Sequence, residues 1–70
     1  MRTWNPGNVF DVRGRMVRTP EGECWVKLDA SGWYLWQDSP EPRLIAERMD
    51  VWQVCALLNA WDVDREAVAS

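Results

Sequence analysis

Three short runs rich in β-branched and aromatic residues constrain the fold of this 70-residue chain more than any other feature. They lie within residues 16–36 and are separated by residues 20–22 (PEG) and 29–32 (DASG). Short runs of this kind, bounded by Pro, Gly, Asp and Ser, are typical of antiparallel strands joined by hairpins. The sequence therefore predicts an antiparallel meander, and residues 9–12 (VFDV) are a candidate for a further strand before it.

The alternation of side chains within the predicted strands identifies a core face. In the strand at residues 23–28, Cys24, Val26 and Leu28 share one face, and Trp25 and Lys27 share the other. The first set is the more apolar, so we expect it to face the core.

The strand predicted at residues 33–37 is apolar on both faces. Trp33 and Leu35 point one way, and Tyr34 and Trp36 point the other way. An antiparallel sheet with one solvated face should alternate apolar with polar residues, so something should cover the second face.

Three covers for that second face stay open at this stage. An N-terminal arm that carries Trp4 and Phe10 could fold over the sheet, with Trp4 as a lid on its edge. A homodimer could bury the face, or a protein partner could bind it as an aromatic patch with a basic rim. The residues predicted to bind such a partner are Trp25, Tyr34, Trp36, Lys27, Arg15 and Arg18.

Helical sequence is predicted after the sheet. Ser39 is a suitable N-cap with Pro40 at the first helical position, and no Gly or Pro interrupts residues 43–61. Apolar residues there follow a helical stripe, which predicts a helix packed on the sheet.

Two versions of this helical region remain open. Asp50 followed by Gln53 has the form of a capping box, which would divide the region into a short helix and a main helix at residues 51–60. The alternative is one continuous helix that bends near Asp50. Asp64 could then cap a short C-terminal helical turn.

These elements predict an α+β fold for a single domain over residues 1–70, with the sheet at about 9–37 and the helical part at about 40–68. It would be a three- or four-stranded antiparallel meander followed by one main helix on one sheet face and the short C-terminal turn. Small domains often lack a large apolar core and are stabilised instead by disulfides or metals. Here six Trp residues supply the apolar area for a core. Cys24 and Cys55 lie 31 positions apart, without a metal or redox spacing, and we expect free thiols in the core rather than a disulfide.

The residues that most enzymes use are missing from the sequence. There is no histidine and no Gly-rich phosphate loop, and neither cysteine has a histidine partner. The carboxylate pairs Glu47 with Asp50 and Asp62 with Glu66 lie on a predicted solvated face. The sequence therefore predicts a protein that is not an enzyme, with no catalytic residues, no cofactor and no metal.

Charge and hydropathy narrow the partners further. No apolar run reaches the ~20 residues that span a bilayer, so we expect a cytoplasmic protein without a membrane partner. Residues 1–37 carry a net charge of +1 and residues 38–70 a net charge of −4, giving −3 for the chain. An acidic C-terminal half repels the phosphate backbone of nucleic acid, although the same charge would suit a mimic of nucleic acid.

Two parts of the chain resemble known families. Residues 14–33, with Gly14, a Trp25 strand and Gly32-Trp33, resemble small β-sheet proteins of actinobacterial phages. This resemblance implies a small accessory protein in a bacterial host cell. Residues 42–68, with the VWQV segment at 51–54, are similar to antitoxin-like helix-turn-helix domains, in which residues 51–59 and 64 onward would be the two helices.

The leading hypothesis is therefore a non-enzymatic protein-binding module, a phage-type accessory protein that binds and inhibits a host protein. The alternative is a small DNA-binding transcriptional regulator or excision factor that uses residues 51–68, with basic residues of the sheet on phosphates. Its second helix offers Arg65 between Asp64 and Glu66, which is poor chemistry for reading bases or neutralising phosphates. DNA is therefore the less favoured partner.

Overall fold

The computed structural model describes residues 3–66. Two helices and four strands follow one another along the chain. Their bounds are α1 Pro6–Asp11, β1 Met16–Thr19, β2 Gly22–Asp29, β3 Gly32–Ser39, β4 Arg43–Met49 and α2 Val51–Ala60.

The four strands form one antiparallel meander in the order β1-β2-β3-β4. This arrangement confirms the predicted α+β fold and the hairpins at residues 20–22 and 29–32. Gly22 has a φ of 113° and packs so closely under Ser39 that an added Cβ would clash with the Ser39 carbonyl oxygen. The first hairpin therefore requires glycine at this position.

The prediction of a strand at residues 9–12 is wrong, because these residues belong to α1 and its C-terminal end. The helix begins at a capping box: the Asn5 side chain accepts a hydrogen bond from the Asn8 amide at 3.0 Å, and the Asn8 side chain accepts one from the Asn5 amide at 3.2 Å. Pro6 occupies the first turn, where its missing N–H has no cost. Residues 5–8 therefore begin a helix.

The prediction of helix from Ser39 to Asp50 is also wrong, since residues 43–49 form β4. This strand pairs with β3, where Leu44 lies opposite Trp36 and Ala46 lies opposite Leu35. Two register shifts interrupt the pairing. Such bulges break the strict alternation of a strand, and they give the apolar residues of β4 the irregular spacing that resembled a helical stripe.

The main helix is confirmed. Asp50 caps α2 by accepting a hydrogen bond from the Gln53 amide at 2.8 Å, and the Gln53 side chain accepts one from the Asp50 amide at 2.8 Å. After α2 the Asp64 side chain accepts a hydrogen bond from the Glu66 amide at 2.9 Å. Up to residue 66 no further helix follows α2, and the rest of the predicted C-terminal turn lies outside the described residues.

Both helices pack on the same face of the sheet, which we call the helix face. The predicted core positions Cys24 and Val26 are buried there, and both Cys24 and Cys55 are free thiols, as expected. The interior consists of valines, leucines, two tryptophans and Cys55, contributed by the sheet, by both helices and by the segments next to them. Its members are Trp4, Val9, Val12, Val17, Val26, Trp33, Leu35, Val54, Cys55, Leu58 and Val63.

From residue 3 onward the N-terminal segment does not cover the second sheet face, so that prediction is wrong as well. Trp4 is buried in the core, and its indole Nε1 donates a hydrogen bond to the Val63 carbonyl at 2.7 Å. The Trp4 amide donates to the Asn59 side chain at 2.6 Å. Phe10 packs edge-on against Trp33 of the helix face, with ring centroids 5.1 Å apart. The other sheet face therefore stays uncovered by this segment.

Candidate functional site

A row of four large apolar side chains crosses the sheet on the side away from the helices. The strand register places Met16 beside Trp25, Trp25 beside Trp36, and Trp36 beside Leu44. One residue comes from each strand, and neighbouring strands lie about 4.8 Å apart, so the row is roughly 14 Å long. We call this row the apolar row, and the surface that carries it the open face.

Two members of the apolar row are exposed, and the other two, Met16 and Trp25, are half-buried. Trp36 is 38% exposed and Leu44 is 42% exposed, whereas Trp33 and Leu35 on the opposite face of β3 are 4% and 0% exposed. Within residues 3–66 both helices belong to the helix face, and no helix packs over the open face. The excess of tryptophan in the sequence is therefore divided between a core and a surface.

Charged and polar side chains border the apolar row on both sides. On one side the Lys27 Nζ lies 5.5 Å from the centre of the Trp25 ring, within range of a cation–π interaction, and Tyr34 lies opposite Lys27. On the other side the Arg18 Nε lies 3.8 Å from the Glu23 Oε2. The open face thus has an apolar centre and a polar edge, as protein-binding surfaces have.

A shallow groove of about 490 Å³ adjoins the row on its Lys27 side. It is open to solvent, and its walls combine aromatic, aliphatic and charged side chains of both signs. The main residues around it are Lys27, Tyr34, Trp36, Leu44, Glu47 and Arg48. A groove of this shape and composition suits a protruding side chain of a protein better than an enclosed small molecule.

Five of the six residues predicted to bind a partner lie on the open face. Trp25, Lys27, Tyr34 and Trp36 lie together at its centre, and alternation along β1 places Arg18 on the same face at the far edge. Arg15 lies before β1, two residues from the inward-facing Val17. Alternation therefore does not place it on the open face with the other five.

Sequence reasoning missed Met16 and Leu44. Met16 could have been assigned to the open face from the sequence, because it alternates with the core residue Val17. Leu44 has none in isolation, since it joins the row only through the pairing of β4 with β3. Of the two missed residues, only Leu44 required its neighbouring strand to be known first.

The titratable side chains between residues 3 and 66 form no metal cluster. No group of three or more Cys, Asp or Glu side chains in this range could hold a metal ion. Burial raises the pKa of the Cys24 thiol, and burial likewise raises the pKa of the Cys55 thiol. Both cysteines therefore favour the unreactive protonated form.

One other tryptophan is exposed, and it lies elsewhere. Trp52 is 68% exposed on α2, the helix that packs on the helix face. It has no strand neighbours of the kind that form the apolar row. Of the helices described, none is long and apolar enough to cross a membrane.

The geometry defines a small α+β domain, a four-stranded antiparallel sheet with helices on one face and the apolar row on the other. Comparison of the chain with protein-family models, curated proteins and solved structures gave no match. The function is therefore inferred from the open face itself.

Proposed function

We propose that this protein is a non-enzymatic protein-binding module that binds its partner through the open face. The observation that carries the proposal is the exposed apolar row, in which Trp25, Trp36, Met16 and Leu44 lie side by side across four strands. With the sequence resemblance to phage proteins, the favoured role is that of a small accessory protein that binds and inhibits a host protein in the bacterial cytoplasm.

The row has the composition of a binding centre. Tryptophan and tyrosine are enriched among the residues that dominate protein–protein affinity, and such residues cluster where a rim of weaker contacts excludes water. Lys27 beside Trp25 and the Arg18–Glu23 pair provide a rim of that kind. A matching partner has an apolar projection, which fits between Trp36 and Leu44, and charged groups around it.

The energetic logic favours a partner over open solvent. Each large aromatic side chain can bury about 150–250 Å², and removal of apolar area from water contributes roughly 25 cal/mol per Å². The strands hold the row in place before binding, so little conformational entropy is lost when a partner docks. Rigid display of aromatic side chains is therefore an efficient way to bind protein.

The two exposed tryptophans Trp36 and Trp52 provide a matched test. We expect Trp36→Ala to lose at least about tenfold in affinity for the partner, because the centre of the interface is truncated. Trp52→Ala removes the same side chain from α2 and should retain wild-type affinity. The partner is isolated on immobilised wild-type protein from a bacterial lysate, purified, and titrated by calorimetry with each variant.

Two results would contradict the proposal. One is equal binding by wild type and Trp36→Ala, with circular dichroism spectra that show both proteins folded. The other is loss of binding only in Trp52→Ala, which would place the site on α2. Inhibition is measured separately, as the activity of the purified partner with and without stoichiometric protein.

A further inference from the structure

We propose that the open face also binds a second copy of this chain, forming a reversible homodimer that a protein partner must displace. The inference rests on the same surface as the proposed function, but it does not depend on who the partner is. A second copy is chosen as the occupant because the opposite charges of Glu23 and Lys27 on the open face complement their own image under a two-fold rotation.

Strand β2 shows this complementarity most directly. Its open-face residues occur in the order Glu23, Trp25, Lys27, with the aromatic residue midway between opposite charges. A two-fold axis that runs along the apolar row, between two facing sheets, places Trp25 over Trp25 and exchanges the two ends of each strand. Lys27 then faces Glu23 of the second copy, and by symmetry the same pair forms twice.

The position of Arg18 strengthens the pairing. Its Nε lies 3.8 Å from the Glu23 Oε2 within one chain, so in the dimer the Glu23 carboxylate lies between Arg18 of its own chain and Lys27 of the other. A carboxylate can accept hydrogen bonds from two cations at once. Glu23 can therefore pair with Lys27 of the second copy while it keeps its ion pair with Arg18.

The other simple two-fold axis, parallel to the strands, lacks this match. It would lay β2 over β3 of the second copy, so that Lys27 meets Tyr34 and Glu23 meets Ser39, as the strand register shows. Neither contact joins opposite charges. The charges therefore select the axis along the row, in which the strands of the two sheets run antiparallel, within the range of aligned sheet packing.

The size of the face predicts a weak dimer. The four strands have 4, 8, 8 and 7 residues. At about 3.3 Å per residue and about 4.8 Å between strands they cover roughly 430 Å² on each copy. The pair would bury roughly 860 Å², which is below the range of stable specific interfaces and typical of weak, transient ones. A dimer of this size exchanges readily, and a partner that buries more area could replace it.

A charge exchange between the two copies tests the proposal. Sedimentation equilibrium from about 5 µM to about 500 µM should show a concentration-dependent dimer for the wild type. Lys27→Glu alone and Glu23→Lys alone should each weaken dimerisation at least about tenfold, because each places like charges opposite one another. An equimolar mixture of the two variants should form a heterodimer, since every Glu then meets a Lys.

Asp11→Lys is the matched control, because it makes the same charge change as Glu23→Lys at an exposed residue of α1. It should dimerise as the wild type does, and circular dichroism should show all variants folded. A wild type that stays monomeric at the highest concentration would overturn the proposal. So would dimerisation unaffected by both reversals, or a mixture of the variants that remains monomeric.

The two proposals can fail separately. A monomeric wild type whose partner binding is lost in Trp36→Ala overturns the homodimer and leaves the binding function standing. A different result is a wild type that dimerises through this face while the Trp36→Ala variant binds the purified partner unchanged. That result overturns the binding function and leaves the homodimer standing.

Discussion

The two faces of one strand show how this small sheet divides its aromatic residues. On β3, Trp33 and Leu35 are almost fully buried against the helices, whereas Trp36, one residue further on, is 38% exposed. The local sequence of both faces is equally apolar. The difference arises from the helices, which cover one face and leave the other without a cover in the described part of the chain.

This contrast separates the residues that stabilise the fold from those proposed to bind a partner. Residues of the helix face contribute to folding through close packing, and their removal leaves cavities. Residues of the open face are held in place by the strands but contribute less burial. Substitutions on the two faces of the same strand should therefore have different consequences, and three experiments sharpen this expectation.

The largest effect is expected for Leu35→Ala compared with Trp36→Ala. Leu35 is 0% exposed, so its truncation should lower the free energy of unfolding by about 2–5 kcal/mol, a large part of the total for a domain of this size. Trp36→Ala removes cross-strand contacts of an accessible side chain and should cost about 1 kcal/mol. Urea denaturation followed by circular dichroism measures both. Equal losses would show that the open face is as important to folding as the helix face.

An intermediate effect is expected where the N-terminal segment meets α2. Trp4→Phe keeps most of the buried ring but removes the indole N–H, leaving the Val63 carbonyl without this donor. We expect a loss of about 1–3 kcal/mol in the free energy of unfolding. Trp52→Phe is the control, because that exposed side chain should change stability by less than about 0.5 kcal/mol. Similar values for both variants would show that the buried hydrogen bond contributes little.

The smallest effect should come from the buried thiols. Burial raises the pKa of Cys24 and Cys55, so these thiols ionise at lower pH in the unfolded chain than in the folded one. Their contribution to stability is therefore complete below the ordinary thiol pKa and is lost as the pH rises through the raised values. Melting temperatures at alkaline pH should fall more steeply for the wild type than for a Cys24→Ala/Cys55→Ala variant. Parallel curves would contradict this.

The central hairpins and the face assignment were predictable because they depend on local signals. Turn residues set the strand limits, and alternation separated Cys24 and Val26 from Trp25 and Lys27. The start of α2 was also local, since Asp50 and Gln53 form their capping box within one turn. Each of these features needs only residues that are close together in the chain.

The features that were missed depend on distant partners or on an ambiguous local pattern. β4 is a strand because it pairs with β3, and its bulges conceal the alternation that would have identified it. Trp4 is a core residue because Asn59 and Val63, at the far end of the chain, accept its hydrogen bonds. At the start of α1, Asn5 and Pro6 suit a turn as well as a helix start, and the choice depends on packing against α2.

The apolar row has one consequence for selectivity. Its four members come from four strands, and they meet only when every pairing has its native offset. A slip of one residue in any strand would turn that strand's member inward and interrupt the row. A fragment or a denatured chain therefore cannot form this surface, so the binding proposed for the open face requires the native strand register.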